Sequence, residues 1–167
     1  MQEIEYRVGD VLWHKSNNPV IIPHVCNSVG AWGSGFVVAI SRHDPFPEEA
    51  YRKWYKTGLS ADKIPFALGN VQFVAFNSKW VRNPARVVIA NMIAQEGIGF
   101  HNGKAPIRYD AVKQSLIKVR EAALELKAEI AAPKFGSGLA GGKWPRIEQI
   151  IVKELCKHNL KVYIYDL

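Results

Sequence analysis

Two glycine-rich segments, each set between a strand-like apolar run and a helical pattern, constrain this chain more than any other feature. The first is Gly30-Ala31-Trp32-Gly33-Ser34-Gly35, after the apolar run Val20 to Asn27; the second is Gly136-Ser137-Gly138-Leu139-Ala140-Gly141-Gly142, after Ala128 to Pro133. Glycine lets a backbone adopt φ > 0 and approach a ligand without a side chain in the way. Where a strand turns into a helix, the first N–H groups of the helix and its dipole face outward and suit an anion. One such loop says little; two in a small chain imply an α/β fold and a ligand carrying more than one phosphate.

The remaining pattern supplies the rest of that fold. Ile4 to Val8, Val20 to Val25, Val71 to Phe76, Arg86 to Ile93, a segment opening at Ile130, and Lys161 to Asp166 read as strands rich in β-branched residues. Gly35 to Arg42 reads as a short helix with Phe36, Val37 and Ile40 turned inward, and Pro47 to Lys56 as a second with proline and acids at its start. Asp110 to Lys127 carries Val112, Leu116, Val119, Ala123 and Leu126 as one apolar stripe. Trp144 to His158 is expected as one helix, with Ile147, Ile150, Ile151 and Leu155 buried. Strands alternating with helices predict a single α/β domain over residues 1–167 with a helix-covered, largely parallel sheet. No linker, repeat or low-complexity tract divides it.

At 167 residues and 48% hydrophobic, the chain can bury a real core. No apolar run is long enough to span a bilayer, and the acidic start Met1-Gln2-Glu3-Ile4-Glu5 is not a secretory signal. The two cysteines, Cys26 and Cys156, show neither metal-ligand nor disulfide spacing, so a reduced cytoplasmic setting, no metal and no cofactor are expected. The net charge of +7 favours an anionic partner, but it is spread along the chain. A small anionic ligand therefore ranks above nucleic acid, and a membrane partner is not expected.

Two nucleotide motifs fail on position. Gly136 to Gly141 spells G-x-G-x-x-G, yet a dinucleotide-binding domain carries that loop on its first strand, and only one helix and one strand follow here. In the Walker A register Trp144 follows Lys143, where Ser or Thr must meet magnesium, and Ser137 occupies the place of the first glycine.

Four segments, in order along nearly the whole chain, resemble the macro domain family, whose members bind ADP-ribose. They are Gly9-Asp10-Val11-Leu12, the Asn27-to-Phe36 loop with its Trp-Gly-x-Gly form, Asn91-Met92-Ile93-Ala94-Gln95, and Pro133 to Trp144. The Trp-Gly-x-Gly form resembles the branch holding ADP-ribose-1″-phosphate phosphatases and terminal ADP-ribose glycohydrolases. The resemblance implies a three-layer α/β/α fold with a mixed, largely parallel central sheet. It also implies a monomeric domain that binds ADP-ribose or its 1″-phosphate, free or on a modified macromolecule, and hydrolyses the terminal phosphate or acts only as a reader.

On that resemblance, Gly9, Asp10, Val11 and Tyr165 would serve the adenine; a helix N-cap for Asp10 and a packed strand aromatic for Tyr165 are the structural alternatives. Asn27, Asn91, Ile93 and Gln95 would line the distal ribose, although Asn27 equally suits a turn. Gly30, Gly33, Ser34, Gly35 and Phe36, with Pro133, Gly136, Ser137, Gly138, Leu139, Ala140 and Gly141, would form the two phosphate loops; Trp32 either walls the pocket or anchors its loop. His24 and Asn27 are the catalytic candidates, since imidazole titrates near neutrality; a strand-packed His24 is the alternative. Lys134 and Lys143 flank the second loop and could draw in an extra phosphate. The irregular stretch Glu96 to Pro106, with His101 and Lys104, is expected as a lip. Glycohydrolase-type members use a lysine where Ala94-Gln95-Glu96 stands and an aspartate where Ala140 stands, so their covalent route is not expected here.

Overall fold

The computed structural model describes residues 2–167, and Met1 of the amino-terminal segment lies outside them. Six strands and four α-helices follow one another as β1 (Ile4–Val8), β2 (Val20–Asn27), α1 (Phe36–His43), α2 (Phe46–Thr57), β3 (Val71–Ala75), β4 (Val87–Gln95), α3 (Tyr109–Leu126), β5 (Glu129–Pro133), α4 (Trp144–Glu154) and β6 (Val162–Asp166). Short 3₁₀ turns occupy Val11–Trp13 and Cys156–His158. The strands form one sheet in the order β1-β6-β5-β2-β4-β3. Every pairing is parallel except β3 with β4, which gives the mixed, mostly parallel sheet that the family resemblance implies.

The sheet is covered on both faces. Along β2 and β4 the side chains alternate between two cores. Ile21, Val88, Ala90 and Met92 join the α3 and α4 stripes, including Val112, Leu116, Ile147 and Ile151. Val20, Ile22, Ile89 and Ile93 join Ile40 of α1 and Tyr51 and Trp54 of α2. Burial on both sides explains why β2 and β4 read as continuous apolar runs rather than alternating ones. Because β2, β4, β5 and β6 run the same way, Asn27, Gln95 and Pro133 come to one edge of the sheet, where both glycine loops depart. In open α/β sheets that edge is where ligands bind.

One element departs from expectation. Trp144 to His158 is not a single helix: α4 stops at Glu154 and the chain tightens into the turn Cys156–His158. Arg120 of α3 donates to the Glu154 carboxylate at 3.0 Å and reaches its main-chain oxygen at 3.4 Å. That supplies a partner which the next helical turn would otherwise provide. Asn159 then takes φ +62 and steers the chain into β6.

Candidate functional site

A cleft of about 430 Å³ opens at the ends of β2, β4 and β5, between the two glycine loops. Its first wall is the loop from Ala31 through Gly33, Ser34 and Gly35 into the first turn of α1, where Phe36 and Val37 face it. Its second wall runs from Pro133 and Lys134 through Gly136 and Gly138 to Leu139 and Ala140. The floor is the end of β2, from His24 to Asn27, with Gln95 of β4 beside it. Ile98 and Gly99 close one side from the Glu96–Pro106 segment.

The glycines of these loops divide into two kinds. Gly30 has φ +76, and a Cβ there would sit 2.4 Å from the Tyr55 ring; at Gly142 it would sit 2.4 Å from the Gly136 carbonyl oxygen. These positions are glycine because protein packs against them. At Gly33 and Gly138 an added Cβ meets nothing within 4 Å, and neither has positive φ. Their missing side chains keep space open in the cleft itself.

That space is edged with main-chain donors. Gly35 caps α1 with no side-chain hydrogen bond to the helix. Among the described residues, the N–H groups of Gly33 to Phe36 and of Gly138 to Ala140 donate to no protein acceptor. Unpaired N–H groups at a helix start suit an anionic oxygen, which accepts several at once.

The structure places Asn27 and His24 at the cleft floor but occupies both. The Asn27 carboxamide oxygen accepts from the N–H of Val29 (3.0 Å), the N–H of Ala31 (3.1 Å) and the Tyr51 hydroxyl (3.0 Å). Its Nδ2 donates to the Ala31 carbonyl at 2.8 Å. Asn27 therefore shapes the first loop, and only one N–H remains for anything bound. His24 is 2% exposed. Its Nε2 donates to Asn91 Oδ1 at 2.6 Å, and Asn91 in turn donates to Gln72 at 3.0 Å. The rings of Trp32 and Phe36 pack edge-on against the imidazole. Burial pushes its pKa down to about 4, against a smaller opposing effect of Asn91. His24 is thus a neutral imidazole at pH 7, held in a polar chain inside the sheet.

Several sequence candidates sit outside this lining. Asn91 and Ile93 are fully buried in β4, one layer beneath the cleft. Trp32 is 4% exposed and anchors its loop by donating to Ser41 Oγ at 2.8 Å and to the Val37 carbonyl at 3.1 Å. Ser137 turns its hydroxyl back to the Lys134 carbonyl, and Gly141 is filled by Phe100 and Ala105. Gly9, Asp10, Val11 and Tyr165 lie towards β1 and β6. Asp10 accepts from Leu12 N–H at 2.9 Å as the cap of a 3₁₀ turn, and Val11 is buried. The Tyr165 hydroxyl is 2.7 Å from His14 Nδ1, and His14 Nε2 is 2.7 Å from the Glu129 carboxylate. Lys134 lines the cleft while paired with Asp166 at 2.8 Å, whereas Lys143 is exposed and absent from the lining.

Sequence reasoning passed over Ile98 and Gly99, although an apolar residue inside a glycine-bearing loop was the available signal. The loop is tied at its base: Gly97 N–H donates to Ser28 Oγ at 2.9 Å, and Glu96 N–H to the Pro106 carbonyl at 2.9 Å. Arg108 adds bonds to Glu96 and to three carbonyls of 105–107. His101 and Lys104 pair with each other through the backbone, away from the cleft lining. Among the described residues no group of three His, Cys, Asp or Glu is placed to hold a metal, and no helix is long and apolar enough to cross a membrane.

A mixed sheet between two helical layers, with glycine loops facing across the strand ends, defines a three-layer α/β/α domain with one walled cleft. The structure matches a macrodomain protein from Streptomyces coelicolor over 99% of both chains, with 39% identity and a TM-score of 0.80. The chain belongs to the macrodomain family. No family model matches it. Among curated relatives, it is 29% identical to the chromodomain-helicase-DNA-binding protein 1-like of Danio rerio over 97% of this chain, which spans only 15% of that protein. It is 24% identical to an ADP-ribose 1″-phosphate phosphatase of Meyerozyma guilliermondii over 99% of each chain.

Proposed function

We propose that the cleft binds ADP-ribose or ADP-ribose-1″-phosphate, with phosphate oxygens on the N–H groups of Gly33 to Phe36 and Gly138 to Ala140. The observation that carries this reading is the pair of open glycines, Gly33 and Gly138, facing one cleft beside unpaired main-chain donors. Two anion-binding edges across one cleft suit a ligand with more than one phosphate. Leu139, 65% exposed, and Ile98, 57% exposed, provide apolar cover for a ribose between them. The adenine would extend from the lined cleft towards Asp10 and Tyr165. The domain works in the cytoplasm on free metabolite or on ADP-ribosylated macromolecules.

Hydrolysis of the 1″-phosphate is a second reading, favoured by the likeness to the phosphatase relative along its full length. The main-chain donors would hold the charge that builds on phosphorus-bound oxygens as water attacks. His24, neutral and already donating to Asn91, is placed to orient the floor rather than to deliver a proton at pH 7. Calorimetric titration with ADP-ribose tests the binding reading, with saturable one-to-one binding expected and its absence overturning it. Phosphate release from ADP-ribose-1″-phosphate then separates enzyme from reader. A Lys134→Gln variant is expected to weaken the 1″-phosphate ligand more than ADP-ribose, and less so as salt rises. Equal losses would leave Lys134 as the partner of Asp166 alone.

A further inference from the structure

The positive charge that is scattered along the sequence is gathered by the fold at a second place, away from the cleft. Trp13 follows Val11 and Leu12, His43 ends α1, and Lys79 and Trp80 lie in the loop between β3 and β4. The His43 ring sits between the two tryptophans, its centroid 5.9 Å from that of Trp13 and 4.8 Å from that of Trp80, both edge-on. His43 Nδ1 is fixed to Ser78 Oγ at 2.7 Å, and Lys79 N–H donates to the His43 carbonyl at 3.0 Å. Asn83 ties the same loop to the segment after Trp13, accepting from Ser16 N–H at 3.1 Å and donating to the His14 carbonyl at 3.3 Å.

These ties bring the loop of Lys79, Arg82 and Arg86 beside the segment of Trp13, with Lys15 and Arg42 next in sequence to His14 and His43, and all five cations are exposed. None of the five forms an ion pair among the described residues. The acids nearby are engaged: Asp44 accepts from Phe46 N–H (3.0 Å) and Asn77 N–H (2.9 Å), Asp10 caps its turn, and Glu129 is held by His14, Ser16 and Asn18. Trp13 and Trp80 are each 53% exposed on a rigid support. A hollow of about 210 Å³, lined by Leu12 and His14 on either side of Trp13 in the chain, also carries Asn77, Arg82, Asn83 and Arg86. Val20 pairs with Val87 here, so this end of β2 is about 13 Å of strand from His24, where the cleft floor begins.

We infer that this surface binds single-stranded nucleic acid, with bases stacking on Trp13 and Trp80 and the five cations tracking the phosphates. Uncompensated cations interleaved with half-exposed aromatics are the combination that holds a single strand without sequence preference. A duplex fits less well, because no helix or β-ribbon projects from this face to enter a major groove. Trp13, Trp80 and the five cations lie outside the cleft lining.

Fluorescence anisotropy of a labelled twelve-residue oligothymidylate, titrated with the whole protein at two salt concentrations, tests the inference. Binding that weakens steeply with salt is expected, together with a loss of at least about fivefold in Trp80→Ala. An Arg82→Gln, Arg86→Gln double variant should weaken binding and flatten the salt slope. The arginine variant should keep the parent's melting temperature, since both replaced side chains are exposed, whereas Trp80→Ala should melt lower because its ring packs on His43. No binding, or binding unchanged in both variants, would overturn the assignment. So would equal protection of the tryptophan emission by anionic phosphatidylserine vesicles, which would mark a lipid surface instead.

Discussion

Gly33→Val and Gly138→Val are each expected to lower ADP-ribose affinity by about a hundredfold or more while the protein stays folded. Neither glycine has positive φ, and neither would direct a Cβ into protein. The branched side chain therefore costs the fold little and stands in the cleft where main-chain donors face a phosphate. Losing two or three such hydrogen bonds to a charged group amounts to about 3 kcal/mol or more, which is at least two orders of magnitude in affinity. Gly142→Ala makes the contrast: its Cβ would lie 2.4 Å from the Gly136 carbonyl oxygen, a backbone atom that cannot swing aside. That variant should lose stability, by about 1–3 kcal/mol, before any question of binding arises. Calorimetric titration beside thermal melts reads both quantities. Valine variants that bind like the parent would show that the cleft is not the phosphate site.

What could be read from the residues follows a physical line. The α3 stripe from Val112 to Ala123 was legible because helical spacing is local, and all four apolar residues are buried as that spacing requires. The end of α4 was not, because what stops it is Arg120 from another helix. The loops that wall the cleft were legible because each sits beside the strand that positions it. The roles within them were less so: Gly30 and Gly33 look alike in sequence, and only the Tyr55 ring tells them apart. Asn27 carries the same ambiguity, since a carboxamide that could meet a ribose also closes a turn, and here four bonds commit it to the loop. Charge was the least legible property. Lys15, Arg42, Lys79, Arg82 and Arg86 lie up to 71 positions apart in the numbering, on two connections and the end of α1.

The second large effect concerns acid stability and rests on His24. In the unfolded chain its imidazole titrates near 6.5, whereas in the fold burial holds it down to about 4. A depressed histidine pKa means that the folded state resists protonation, so its stabilising contribution is complete above pH 6.5. It is lost as pH falls from 6.5 towards 4, where the unfolded chain gains a proton that the fold refuses. The window is worth about 3 kcal/mol across its full width, a large share of a small domain's stability. Glu129 adds a loss of the same sign at lower pH, because hydrogen bonds from His14, Ser16 and Asn18 hold its carboxyl below the usual range, so the two must be separated. His24→Gln does so: its carboxamide can still donate to Asn91, but it cannot titrate. The variant should begin less stable at pH 7, since a shaped ring between Trp32 and Phe36 is lost, and then fall less steeply between pH 6.5 and 4. Denaturant melts at half-unit pH steps measure the two slopes. Parallel curves for parent and variant would mean that His24 carries no proton deficit in the fold. A flattened curve would mean that the fold keeps His24 neutral at pH 7, where it holds Asn91 beneath the cleft.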